Sequence, residues 1–306
     1  MAGVTDLAFR SICREMGAGL SCTELVSSRA LCYQDGKSRE LLRLAENEKP
    51  AQAQIFGNDP VCMAEAAVIA LDASGADILD INMGCPVGKV VANGDGAALM
   101  RDVDRAVRVA EAVVRAVPKP VTVKMRRGWD KGSINAVELA RLLESVGVAG
   151  LTVHGRTRMQ MYAGQADWVT IREVKEAVRI PVFANGDVFS GADAKRILQF
   201  THADGVMVGR GTFGNPWIFR EINAVLAGEE VPAPPSLAER LATAERQFAL
   251  SASVKGEKRA VLEARRHLAW YLKGIRNAAY FRAQVVRMET LDDVRTVTAQ
   301  IVKDLA

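Results

Sequence analysis

Seven short runs of β-branched and apolar residues recur along the chain, each followed by turn residues and then a stretch with helical spacing. They are Leu20–Leu25, Ala51–Phe56, Ile78–Asn82, Val121–Met125, Gly150–His154, Val182–Ala184 and Gly205–Val208. Between them, Val103–Val117, Val137–Ser145 and Ala192–Gln199 carry apolar residues three and four apart. Strands and helices in strict alternation build parallel α/β sheets. Several runs are apolar at consecutive positions, as expected for strands covered on both faces.

Such a sheet can be open or closed. The open dinucleotide-binding form starts with a GxGxxG turn after its first strand, and this chain has none. Instead, polar residues stand at the C-terminal end of nearly every run: Gln54, Asn82 to Cys85, Lys124, His154, Asn185 to Asp187, Gly209 and Arg210. A barrel gathers these ends at one mouth, where its active sites are built, whereas an open sheet spreads them along a line. The sequence therefore predicts an α/β chain folded as a (β/α)8 TIM barrel. With seven runs for eight positions, the missing strand belongs before Met1–Asp6, which reads as the loop leaving a first strand, so the first strand is expected to be truncated.

The run Gly228–Ser236 places Pro232, Pro234 and Pro235 within four residues and cannot continue a helix. Beyond it the chain reads as helical. Residues 1–230 are expected to form the barrel domain and 237–306 a small helical domain. Residues 236–306 hold 13 basic and 8 acidic side chains, against 27 and 28 in the rest of the chain. A neutral body with a basic tail points to an acidic macromolecular partner near the C-terminus.

No apolar run approaches the roughly 20 residues that span a bilayer, and the first residues lack the pattern of a signal peptide. Five cysteines without a CxxC pair predict neither a metal site nor a disulfide framework, and suit a reducing cytoplasm. A monomer is the expected state.

The strongest local signal is Asp80–Ile81–Asn82–Met83–Gly84–Cys85–Pro86. A cysteine just past a barrel strand faces the mouth, where a thiol can act as nucleophile or acid; the alternative is a small buried apolar group. Cys13, Cys22, Cys32 and Cys62 lack that setting and read as packing residues. Asn185–Gly186–Asp187 and Gly209–Arg210–Gly211 follow the last two runs, where this fold frequently holds a phosphate; tight turns that need glycine are the plainer reading. Lys124 at the mouth calls for an electron-rich ring or a carboxylate opposite it. His154 and Gln54 complete a polar ring above the phosphate loops, which suits a flavin mononucleotide.

These residues lie within motifs that resemble the successive signatures of tRNA-dihydrouridine synthases. The motifs are Met1–Ala2–Gly3–Val4–Thr5–Asp6, Asp80–Pro86, Val123–Lys124–Met125–Arg126, Thr152–Val153–His154–Gly155–Arg156–Thr157, Ala184–Asn185–Gly186–Asp187 and Gly209–Arg210. The resemblance covers the whole chain. It implies an FMN-dependent oxidoreductase that uses NADPH to reduce the C5–C6 double bond of particular uridines in tRNA. It further implies Cys85 as the proton donor at C5, Gln54, Lys124 and His154 along the flavin, and Asn185, Gly186, Asp187, Gly209 and Arg210 around its phosphate. Met1 and Ala2 match the end of the family's flavin-contacting first loop. Asn82 and Arg156 match the substrate side.

On a helical wheel Lys258, Arg259, Arg265, Arg266, Lys273 and Arg276 share an arc of about 120°, apart from Val261, Leu268, Tyr271, Leu272 and Ile275. With tRNA as substrate, this basic face, and Arg266 and Lys273 in particular, is expected to meet RNA phosphates. Two other readings remain: a flavoenzyme acting on a free small molecule, and a non-catalytic RNA-binding protein on a barrel scaffold.

Overall fold

The computed structural model describes residues 1–305. Its strands are β1 (Ser21–Cys22), β2 (Val26–Ser27), β3 (Ala51–Phe56), β4 (Ile78–Met83), β5 (Val121–Arg126), β6 (Gly150–His154), β7 (Val182–Asn185) and β8 (Gly205–Met207). All pairings between them are parallel, in the order β1-β3-β4-β5-β6-β7-β8, with β2 also on β3. Ser21 and Cys22 pair with Ala51 and Gln52, and Val26 and Ser27 with Ile55 and Phe56. β1 and β2 are thus two halves of one interrupted strand, so the seven runs of the sequence occupy seven positions around the sheet. Among the described residues no ladder joins β8 to β1, and the barrel has an open seam there.

The crossovers begin where side chains cap them. Asp59, Asp102, Asp167 and Ser190 each accept a backbone N–H from the first turn of the following helix, satisfying donors that have no partner within the helix. The apolar faces of these helices cover one side of the sheet. Ala53, Ile55, Leu79, Ile81, Met83, Val121, Val123, Met125, Leu151, Val153, Val182 and Ala184 lie in one core with Met63, Val109, Leu139, Val174 and Ile197 of the helices. Because side chains alternate along a strand, the intervening residues face the barrel axis. Those include Gln52, Gln54, Asp80, Asn82, Thr122, Lys124, Thr152, His154 and Asn185, with Ile78, Phe183 and Met207 as apolar members. The expectation of strands apolar on both faces is corrected here: the outer face is apolar and the inner face mainly polar.

Ser236 and Glu239 form a capping box that starts helix Leu237–Lys255 after the proline run. This helix and those over Glu257–Tyr271, Ala278–Val285 and Leu291–Leu305 share a separate core that includes Phe248, Tyr271, Phe281 and Ile301. The bundle spans the open seam. Before β1 it holds Asp6 through Lys255 at 2.5 Å, Glu15 through Arg246 at 2.5 Å and Phe9 through His267, ring to ring at 5.6 Å. After β8, Phe213 stacks on Trp270 at 4.2 Å. Gly214, at φ +62°, brings its backbone so close to that of Trp270 that no Cβ would fit.

Candidate active site

Strand register stacks the inward residues in layers. Gln54 aligns with Asp80 and Asp80 with Thr122; above them Asn82 aligns with Lys124 and Lys124 with Thr152. Arg126, His154, Asn185 and Met207 form the layer at the mouth.

In the lowest of these layers Asp80 is fully buried, and accepts Gln54 Nε2–H at 2.7 Å and the Thr122 hydroxyl at 2.6 Å. Burial pushes its carboxyl up to about 6, against the pull of those two donors and of Lys124. Gln54 Oε1 accepts Asn82 Nδ2–H at 3.0 Å. Asn82 Oδ1 in turn accepts the backbone N–H of Gly84 at 3.1 Å and of Cys85 at 2.8 Å. The carbonyl of Cys85 takes the N–H of Ala97 at 3.0 Å, which closes the loop carrying the thiol. Cys85 itself is partly exposed.

Lys124 Nζ donates to Asn185 Oδ1 at 3.1 Å and, among the described residues, has no carboxylate within ion-pair distance. Burial, with Arg126 second, pushes its ammonium down to about 8 while Asp80 pulls the other way. His154 is buried beside four cations, Lys124, Arg126, Arg156 and Arg210. Burial first and these charges next hold its imidazole far below the ordinary range, so it is neutral at physiological pH. The backbone of Gly186 lies against the His154 ring at φ +130°. A Cβ there would sit 2.7 Å from Ala166 Cβ and 3.3 Å from His154 Cδ2.

Asp187 organises the loops after β6, β7 and β8. Its Oδ2 accepts Arg156 Nη2–H at 2.7 Å and the Ala166 N–H at 2.7 Å, and its Oδ1 accepts Arg210 Nη2–H at 3.2 Å. Arg156 is 2% exposed and also donates to the carbonyls of Ala163 at 3.1 Å and Gly164 at 2.5 Å; its buried Nη1 has no partner among the described residues. The Arg210 guanidinium lies 4.8 Å from the centre of the Tyr162 ring. The backbone N–H groups of Gly186, Asp187 and Gly209 make no hydrogen bond among the described residues.

Met1 and Ala2 belong to a turn, with Met1 partly buried and Ala2 exposed; Met1 Sδ lies 3.9 Å from where a Cβ of Gly209 would stand. Arg266 is exposed and donates to the Gly3 carbonyl at 2.7 Å, from the bundle to the mouth. Arg265 donates to the Met288 carbonyl at 2.6 Å. The helix expected to reach Arg276 ends at Tyr271, so Lys273 and Arg276 lie beyond it and both are exposed. The six basic residues of the predicted face are therefore divided between packing and solvent.

Sequence reasoning did not single out Asp80 or Arg126, although both stand in quoted motifs and at inward positions of their strands. Arg126 is 3% exposed and donates to the carbonyls of Gly84 at 2.8 Å, Thr157 at 2.8 Å and Met161 at 3.0 Å. It also missed the rim: Trp129 has the guanidinium groups of Arg101 and Arg158 both 4.9 Å from its ring centre. The thiols of Cys32 and Cys62, read as separate packing residues, lie 3.3 Å apart.

A cup lined with amides and uncompensated cations, with a thiol on its lip, is suited to an electron-rich planar group and an unsaturated substrate. The fold and the cup together define a TIM-barrel oxidoreductase. Two solved structures share the fold at a TM-score of 0.55. The first, histamine dehydrogenase from Rhizobium sp. 4-9, is 14% identical, with 80% of this chain and 46% of that one covered. The second, 6-hydroxypseudooxynicotine amine oxidase from Pseudomonas geniculata N1, is 16% identical, with 72% and 44% covered. This chain spans less than half the length of either. The family model "Dihydrouridine synthase (Dus)" matches residues 1–305. A probable tRNA-dihydrouridine synthase of Rickettsia conorii is 46% identical over 286 residues, covering 93% of this chain and 86% of the relative. The tRNA-dihydrouridine synthase B of Pseudomonas aeruginosa is 44% identical over 293 residues, covering 95% and 88%. The chain belongs to the dihydrouridine synthase family.

Proposed function

We propose that this tRNA-dihydrouridine synthase works with FMN held in the barrel mouth, NADPH as electron donor and Cys85 as the acid. The observation that carries the reading is the placement of the Cys85 loop beside Lys124. Asn82 and Lys124 are register partners on adjacent strands, and Asn82 Oδ1 holds the Cys85 turn.

The mouth fits FMN on two counts. Lys124 is a cation without a carboxylate partner, and the backbone N–H groups of Gly186, Asp187 and Gly209 are free among the described residues. Gln54, Lys124 and His154 would face the ring system, with Lys124 at the edge where negative charge collects on reduction. Asn185, Gly186, Asp187, Gly209 and Arg210 would hold the phosphate, and Met1 and Ala2 would close the near edge. In this arrangement Asp187 acts through its backbone N–H, because its carboxylate is taken by Arg156 and Arg210. When bound and reduced by NADPH, the flavin supplies the reducing equivalent that reaches C6 of the uracil.

The protein's own part is positioning and proton transfer. Asn82 orients the base, and Arg156 Nη1 is the donor left on the substrate side. Cys85 would give its proton to C5, which completes the addition of two hydrogens across the double bond. Neutral His154 offers hydrogen bonds without adding charge. Exposed Lys273 and Arg276 engage tRNA phosphates, while Arg266 stiffens the bundle against the mouth. Residues 1–230 are the catalytic barrel and 237–306 the RNA-holding domain.

The test is to map dihydrouridine in tRNA from cells lacking this protein and to add the purified chain back. One set of uridines should be restored, with NADPH consumed only when unmodified tRNA is present. Turnover of free uridine rivalling that of tRNA would overturn the reading.

A further inference from the structure

We propose that Asp80 is a positioning residue for the reaction, the terminal acceptor of a hydrogen-bond chain that fixes Gln54, Asn82 and the Cys85 turn. The inference rests on the reading of Cys85 as the acid and extends it to a residue that touches neither cofactor nor substrate.

The chain has one polarity throughout. The N–H groups of Gly84 and Cys85 are donors only, so Asn82 must turn its Oδ1 to them. That leaves Asn82 Nδ2–H to donate, and Gln54 answers with Oε1. Gln54 Nε2–H must then find an acceptor in the barrel interior, and Asp80 Oδ2 supplies it at 2.7 Å. An ionised carboxylate can only accept, so it terminates such a chain without ambiguity. Its second oxygen takes the Thr122 hydroxyl, and Thr122 Oγ1 accepts Gln52 Nε2–H at 3.1 Å. Asp80, Gln54 and Asn82 are all buried, where a side-chain amide left without partners loses its hydration and gains nothing for it. The position is therefore held by satisfied hydrogen bonds, not by packing.

An anion with no exposed surface, spent on two neutral donors, is expensive as a purely structural device. What it secures here is the orientation of two amides, one directed at the cofactor and one under the thiol. Reversing Gln54 would set its N–H against that of Asn82, and reversing Asn82 in turn would present N–H to N–H at the Cys85 turn and release the loop.

Isosteric substitutions separate this role from packing. In Asp80→Asn the introduced amide can still show its oxygen to Gln54 by turning its NH2 to Thr122 Oγ1. In Thr122→Val the carboxylate keeps Gln54. Each single variant is expected to retain kcat within about threefold. All variants are made in a Gln52→Leu background, so that the buried Gln52 Oε1, without a partner among the described residues, cannot accept the introduced NH2. In the double variant that NH2 is left to Gln54 as acceptor, and the chain reverses. The double should then lose at least about tenfold more kcat than the product of the singles, a coupling of the size seen within shared networks, with KM for tRNA nearly unchanged. The alkylation rate of Cys85 by iodoacetamide, read without turnover, should change only in the double variant. Losses that multiply, or an alkylation rate unaltered in the double, would overturn the proposal while leaving Cys85 as the acid untouched.

Should the double variant fail to fold, Gln54→Glu decides. It sets two carboxylates face to face and should lower Tm. Adding Asp80→Asn should recover most of that loss, because the introduced amide can donate to the introduced carboxylate. No recovery would overturn the chain.

Discussion

Replacing Lys124 by methionine should make the protein more stable and less active. Transfer into the mouth lowers the Lys124 ammonium from 10.5 to about 8, mainly by burial and secondly by Arg126. A displacement of that size opposes folding by about 3 kcal/mol while the lysine is charged. Methionine removes that opposition but leaves Asn185 Oδ1 without its donor, which gives back about 1 kcal/mol. The net expectation is a gain of about 2 kcal/mol at pH 7, or a urea midpoint higher by roughly 0.7 M for m near 3 kcal/mol/M. Below pH 8 lysine carries its proton in both the folded and the unfolded chain, so the whole penalty is present. Between about 8 and 10.5 the folded chain has released a proton that the unfolded chain keeps, and the penalty fades. Wild-type stability should therefore rise relative to Lys124→Met across that window, and the gap should narrow. Urea unfolding of cofactor-free protein at pH 7 and pH 10 measures it. A methionine variant less stable than wild type at pH 7, or a gap equal at both pH values, would refute the reasoning.

Cys85→Ala should keep fold and flavin absorbance and lose at least about 100-fold in kcat, as expected when the positioned acid is removed; single-turnover reduction of tRNA checks it. Arg156→Met should remove one donor from the Asp187 carboxylate, which keeps Arg210 and the Ala166 N–H, and destabilise by about 1–3 kcal/mol in denaturant unfolding. Lys273→Glu with Arg276→Glu should weaken tRNA binding and flatten its salt dependence in a titration series. Arg266→Ala should instead appear in Tm, because its guanidinium is engaged with Gly3.

The barrel was legible because each strand ends in residues that an apolar core would not tolerate: Gln54, Asn82, Lys124, His154 and Asn185. The period-two polarity was harder to see. In Ile78–Met83, Ile78 precedes Leu79 and blurs the alternation, so Asp80 reads as an interruption instead of the foot of an inward row. The break between β1 and β2 left no trace, since Thr23 takes over part of the pairing with side-chain and backbone bonds to Gln54 and Gln52. The roles of Arg156 and Arg266 depended on partners 31 and 263 residues away, which no local pattern reports. The end of the helix at Tyr271 did have a signal. Gly274, at φ +82°, stands in the segment that follows, and the wheel passed over it.

The three carbonyls gripped by Arg126 belong to two segments, Gly84 beside the thiol and Thr157 with Met161 on the outer rim. Since a planar guanidinium cannot follow one segment without dragging the other, a displacement of the rim is passed on to the loop that carries the Cys85 thiol. Rim and thiol are in that sense mechanically geared.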